Sequence, residues 1–257
     1  MAKGVAVNVG INKNKEDGVF RGPIFSNGSF EFIHINWKPW YGMIDPPPKK
    51  YGDMPYSSYV PDRLKNEYVF VSPDFHNCAF ASTPNAYTVN KPICSLKQGD
   101  CLLFYATLDF KNEKGKPEDW INPDWGAYIV GFFKVDFIFK GTDIFIDDST
   151  MDRFIEAFEE YDWYKIFINK TKIDKNNLKH FVPSPWIKGI KCESGLLEKA
   201  IPLSSPKDSQ KWSEKAYELF RTSTGKRLPQ KAIFQTVLTI EGENLDKLLV
   251  QCTLSKC

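Results

Sequence analysis

Residues 97–108, KQGDCLLFYATL, and residues 128–139, YIVGFFKVDFIF, decide the fold class. Each run turns almost continuously apolar after polar, turn-forming sequence and is rich in aromatic and β-branched side chains. That is the pattern of a strand in a barrel or covered sheet. Gly99-Asp100 supplies a tight turn before the first run, and Gly131 gives the second a point at which to bend or pack closely. Toward the N-terminus, residues 5–9 (VAVNV) alternate as a strand does. Pro23-Ile24-Phe25 and Ser29 to Ile33 then flank Ser26-Asn27-Gly28, a hairpin signal whose two central turn residues are expected at positive φ. A short strand is expected around Glu67 to Val71. Residues 36–62 show no clear element; with prolines at 46–48 they read as a long ordered excursion, and such loops are usually functional or mobile. Residues 109–126 read as a polar surface loop carrying Trp120 and Trp125.

On the C-terminal side, Ser149 with Asp152 predicts a capped helix that presents Phe154, Ile155, Phe158 and Tyr161 on one face and Glu156, Glu159 and Glu160 on the other. A second helix is expected from Pro206, capped by Ser205 with Asp208 at its third position, burying Trp212, Ala216, Leu219 and Phe220 and stopping at Gly225. A strand near Ala232 to Ile240 and a short helix near Glu243 to Cys252 follow. Strands in the first half and helices mainly in the C-terminal half make an α+β order. No repeat or linker divides the chain. Residues 1–257 are expected to be one domain, with a strand core at approximately 95–140 and a helical, basic portion at approximately 149–257.

The 257 residues carry 34 Lys and Arg against 32 Asp and Glu, a net charge of +2, so the chain is not a histone-like binder held by bulk charge. The total conceals a split: residues 136–162 hold 9 acids and 2 bases, whereas residues 165–231 hold 15 bases and 6 acids. The basic segment is either a solvated face or a surface for phosphates. With 42% hydrophobic and 26% charged residues the disordered and fibrous classes are excluded. The 15% aromatic content fits β-structure or aromatic-lined pockets. No apolar run approaches the roughly 18–20 residues of a membrane span, and no signal-peptide core is visible, so a cytoplasmic protein without a membrane partner is expected. The six cysteines include no C-x-x-C pair and read as reduced thiols. Glycine-rich nucleotide loops, the zinc-deaminase cage and serine-hydrolase elbows are all missing, so no metal site is expected and the cofactor is unknown.

Two resemblances add to this reading. Lys97-Gln98-Gly99-Asp100, Leu102-Leu103-Phe104-Tyr105 and Tyr128 to Val135 resemble the turn, strand, loop, strand core of PUA-like domains such as the EVE and ASCH groups, small barrels that bind modified or flipped bases. The fold this implies is a PUA-like mixed β-barrel or strongly bent sheet with flanking helices. Residues 9–35 (VGINKNKEDGVFRGPIFSNGSFEFIHI), then Tyr51-Gly52-Asp53, Tyr59-Val60-Pro61, Ser72-Pro73-Asp74-Phe75, the two apolar runs and residues 196–204 (LLEKAIPLS) are similar, in order, to the third nucleotide modification associated domain family. Its most specific piece is Gly22-Pro23-Ile24-Phe25 with Phe30-Glu31-Phe32-Ile33. This resemblance implies a DNA-base hypermodification context, with DNA or a nucleotide as partner and other nucleotide-modification enzymes as further partners. Asn12 stands where the family pattern would have an acid, and residues 169–180, ending at His180, match a family segment only loosely.

An enzyme working on a base needs it unstacked, held between aromatic faces and read by a few polar groups. Arg21, Glu31, Asp53, Asp74 and His76 are the candidate catalytic residues. Lys165, Lys170, Lys172, Lys179, Lys188, Arg227, Tyr51 and Trp120 are the candidate nucleic-acid contacts. For each, a salt bridge, an exposed turn or a core position is the competing role. Three functions stay open: modification of a DNA base, non-catalytic reading of a modified base, and small-molecule catalysis unrelated to nucleic acid.

Overall fold

The computed structural model describes residues 2–9, 21–34, 49–69, 71–82, 87–111, 125–140, 147–162, 164–165, 168, 185–205, 208–222, 224–228 and 237–255. Within these, β1 (Lys3–Asn8), β2 (Gly22–Ile24), β3 (Ala79–Ala81), β4 (Cys101–Phe110) and β5 (Trp125–Phe139) precede β6 (Trp186–Gly189) and β7 (Gly195–Pro202). The remaining strands are β8 (Ser204–Ser205), β9 (Asp208–Trp212), β10 (Arg221–Thr222) and β11 (Leu238–Glu241). The described helices are α1 (Tyr87–Cys94), α2 (Asp148–Phe158), α3 (Glu214–Leu219) and α4 (Glu243–Leu249). The architecture is α+β and dominated by one sheet of nine strands.

β4 lies at the centre of that sheet because its side chains are apolar on both faces. Leu102, Phe104, Ala106 and Leu108 enter one core while Cys101, Leu103 and Tyr105 enter the other. At about 1.5–3 kcal/mol for each large apolar side chain taken out of water, this run alone anchors the two layers. β1 pairs with β4 in parallel and β5 pairs with it antiparallel. The β4–β5 register slips at Phe104/Tyr105, and the cores change parity there. Tyr128 and Val130 face the first core, whereas beyond Gly131 Phe133 and Val135 do so. A methyl on Gly131 would lie 2.6 Å from the Gly195 carbonyl and 2.5 Å from the Phe75 ring, so the expected close approach at this glycine is what the structure contains.

The sheet does not close. β5 divides its outer edge between β7, along Tyr128 to Phe132, and β6, along Val135 to Phe139, and neither returns to β1. Among the described strands the path from β10 to β3 does not close, so of the two expected forms, barrel or strongly bent sheet, the closed barrel is not found and the sheet is open with a forked edge. The division into a strand-rich first half and a helical second half is also corrected: β6 to β11 all follow residue 185. β6 is four residues long, and β7 exposes Glu198 and Lys199 mid-strand, so neither carries the long apolar run that marks β4.

Smaller corrections have local causes. Among the described residues of the Glu67 to Val71 strand, Tyr68 bridges Lys50 and Val69 N–H donates to the Lys49 carbonyl, and three short 3-10 turns form at residues 51–53, 57–59 and 62–64, in and just after the proline-rich excursion. Within the hairpin only Gly28 has positive φ; the Asn27 side chain instead accepts from the Ser29 N–H and hydroxyl. α2 is capped by Asp147 rather than Ser149, with its carboxylate accepting from Thr150 N–H at 2.7 Å. Pro206, the expected start of the second helix, lies outside the described residues; beyond it β9 pairs antiparallel with β8 and is followed by α3, capped by Ser213. Trp212, Ala216 and Phe220 are buried as expected, but Trp212 ends a strand. Trp125 belongs to β5, not to a loop. No described helix is long and apolar enough to cross a membrane.

Candidate functional site

Four segments distant in sequence meet around one cleft of about 670 Å³. The outgoing arm of the hairpin, Phe30 to His34, forms one wall and Leu196 to Glu198 of β7 another. They are held together because the hairpin-tip carbonyl of Gly28 accepts from Ala200 N–H at 3.0 Å. The third wall is the 3-10 segment from Lys49 to Tyr56, and the fourth is the turn from Asp74 to Asn77. Val71, Asp162 just beyond α2, and Ser255 complete the lining.

Glu31, Asp53, Asp74 and His76, four of the five candidate catalytic residues, line this cleft. Glu31 is partly buried, and burial pushes its carboxyl above the usual range. Asp53 is exposed at the rim and accepts from the Lys50 N–H at 3.3 Å, holding the first 3-10 turn. Asp74 is buried and already used: Oδ1 accepts from the backbone N–H of His76 and Asn77 at 3.0 and 3.1 Å, and Oδ2 from the Asn77 amide at 2.8 Å. Its carboxylate therefore holds the turn that places the exposed His76 at the cleft mouth.

Arg21 does not line the cleft. Its Nη1 donates to Asp109 Oδ1 at 3.0 Å, and its guanidinium lies 4.3 Å from the centre of the Trp125 ring. Parallel pairing of β2 with the end of β4, which sets Pro23 beside Asp109, creates this arrangement. Tyr51, a candidate nucleic-acid contact, is fully buried, and its hydroxyl donates to the His34 carbonyl at 2.7 Å. Lys165 is paired with Glu160 at 3.1 Å. Lys188 is half-buried on β6, and that burial lowers its ammonium pKa. Arg227 is exposed and stacks over Tyr217 at 5.5 Å. Lys170, Lys172, Lys179 and Trp120 lie outside the described residues.

The lining residues that sequence reasoning missed include two acids and a buried polar pair. Asp162 and Glu198 gave no local signal beyond being charged, because the end of α2 brings the first to the cleft and the β5–β7 pairing the second. His34 and Tyr56 form its buried polar pair. The His34 Nε2 lies 3.2 Å from the Pro73 carbonyl and Nδ1 lies 3.1 Å from the Tyr56 hydroxyl. Burial lowers the His34 pKa to about 4, so the ring is neutral near pH 7. Among the described residues no group of three or more His, Cys, Asp or Glu is placed to hold a metal ion.

Gly22 controls the position of Glu31. A methyl built on Gly22 would lie 2.4 Å from the Glu31 carbonyl oxygen, a backbone atom that cannot rotate aside. Gly22→Ala is expected to cost about 1–3 kcal/mol and to displace the hairpin arm from the cleft. Urea denaturation, with chemical shifts of residues 30–34, measures both; native shifts in the variant would contradict the assignment.

A family model described as nucleotide modification associated domain 3 matches residues 3–232. No match to a curated protein or to a solved structure was found. The matched span contains every cleft-lining residue except Ser255. β11 lies beyond it, yet continues the same sheet by pairing antiparallel with β1. From residue 3 to residue 232, the chain belongs to the nucleotide modification associated domain 3 family.

Proposed function

We propose that the protein binds DNA or a nucleotide and acts on or recognises an altered base, and that the cleft beside Glu31 receives that base. The observation that carries this reading is the convergence of Glu31, Asp53, Asp74 and His76 on one cleft within a nucleotide-modification family domain. The partly exposed Phe30 offers a ring face for stacking. Glu31, whose carboxyl is held above its usual range, is the group that exchanges a proton with the base or donates to it. His76 stands at the mouth, Asp53 at the rim, and Asp74 is a positioning residue. Lys188, Arg227 and the lysines at 170, 172 and 179 supply phosphate contacts, an assignment supported by the charge of residues 165–231. The PUA-like pattern around β4 and β5 favours the same class of ligand.

Mass spectrometry of DNA nucleosides from cells with the wild-type protein, with Glu31→Gln and without the protein tests the reading. An altered nucleoside is expected with wild type, falling about a hundredfold or more in the variant. Unchanged nucleosides with retained, salt-sensitive DNA binding would make the protein a reader. Unchanged nucleosides with no binding even at low salt would overturn the proposal.

A further inference from the structure

Acceptors predominate in the polar lining of the cleft, with His76 and Ser255 as the exceptions, and the His34–Tyr56 pair extends that sense to its buried side. The Pro73 carbonyl can only accept, so the proton of the neutral His34 ring sits on Nε2. Nδ1 is then an acceptor and takes the single proton of the Tyr56 hydroxyl. Tyr56 lines the cleft with its donor already spent, so its oxygen has only lone pairs to offer a ligand. Asp53, Asp162 and Glu198 add acceptors around it. The Asn77 amide is used on Asp74, and Lys49 is drawn to Asp162 at 3.4 Å. A phosphate placed here would face the carboxylates of Asp53, Asp162 and Glu198 across one engaged lysine.

We infer that the cleft selects a base through amino N–H donors: it takes an amino-bearing nucleobase, or one carrying an appended amine, and leaves the phosphate outside. This rests on the reading of the cleft as a base site and names its substrate class. Adenine and cytosine present an exocyclic amine where thymine presents a carbonyl oxygen, so an acceptor-lined wall leaves thymine's oxygen unpaired.

Titration of the full-length chain at neutral pH with deoxycytidine, deoxyadenosine, thymidine and deoxycytidine 5′-monophosphate tests the inference. The two amino nucleosides are expected to bind roughly tenfold more tightly than thymidine, and the 5′-phosphate to bring no gain. Tyr56→Phe is expected to bring the preference toward unity. Because that change leaves buried Nδ1 of His34 without its donor, the exposed-rim variant Glu198→Gln, which leaves the core intact, is measured beside it and is expected to lower the preference. Equal binding of thymidine, or tenfold tightening by the phosphate, overturns the inference and leaves the base-site reading standing. Failure of every nucleoside to bind at millimolar concentration overturns the inference, and salt-sensitive binding to single-stranded DNA, measured in parallel, then decides whether that reading falls with it.

Discussion

Trp186→Ala is expected to lower the unfolding free energy by about 3–5 kcal/mol, the cost of emptying an indole-sized space that its neighbours only partly refill. Trp186 begins β6 and is almost wholly buried. Its ring meets Phe154 and Phe158 of α2 edge-on, both with centroids at 5.2 Å, and Tyr161 at 5.8 Å. Such aromatic pairs each add about 0.5–1.5 kcal/mol beyond the area they bury. Trp186 is also, with Phe139, a residue through which α2 packs on the forked edge of the sheet, and it pairs with Phe139 of β5 and Ala81 of β3. Urea denaturation followed by near-ultraviolet dichroism reads the loss. A change below about 1 kcal/mol would mean that α2 is held by something other than this cluster.

Acid is the second lever. The folded-state pKa of His34 lies at about 4, below its ordinary 6.5. Burial is the main cause; the Pro73 hydrogen bond and the charge of Asp74 oppose it, and Lys49 assists it. Below pH 6.5 the unfolded chain takes up a proton that the folded chain refuses, so stability is greatest above that value and falls as pH drops toward 4. The expected loss from this group is on the order of 3 kcal/mol. Because Tyr56 and the Pro73 carbonyl both meet the ring, protonation also breaks the polar pair at the buried side of the cleft. His34→Gln should flatten this part of the stability profile. An unchanged slope between pH 6.5 and 4 in that variant would assign the acid sensitivity to other groups.

The central strands were legible because β4 and β5 are apolar on both faces, and no other element produces such runs with turn residues at their ends. β6 and β7 were not, because a four-residue strand and a strand interrupted by Glu198 and Lys199 acquire their meaning only from β5. Helix faces survived where helix starts did not: Phe154 and Phe158 are buried as their spacing requires, while the cap fell two residues earlier at Asp147. At the site, Glu31, Asp53, Asp74 and His76 were legible as chemistry-bearing residues in turns and hairpins. Their convergence was not, and neither was the use of Asp74 as a turn support, since both depend on which backbone N–H groups the fold aims at which carboxylate. Arg21 shows the reverse case. Its local setting resembles that of Glu31, but a parallel pairing with β4 delivers Asp109 to it and Trp125 beneath it.

Photo-crosslinking a single-stranded oligonucleotide that carries one photoreactive cytosine, followed by peptide mass spectrometry, tests directly whether the cleft receives the base. Adducts on the peptides bearing Phe30 to His34, Lys49 to Tyr56 or His76 are the expected result, with loss of those adducts in Gly22→Ala. Adducts confined to the Lys188 or Arg227 surfaces, with none on the cleft peptides, would contradict the placement of the base beside Glu31.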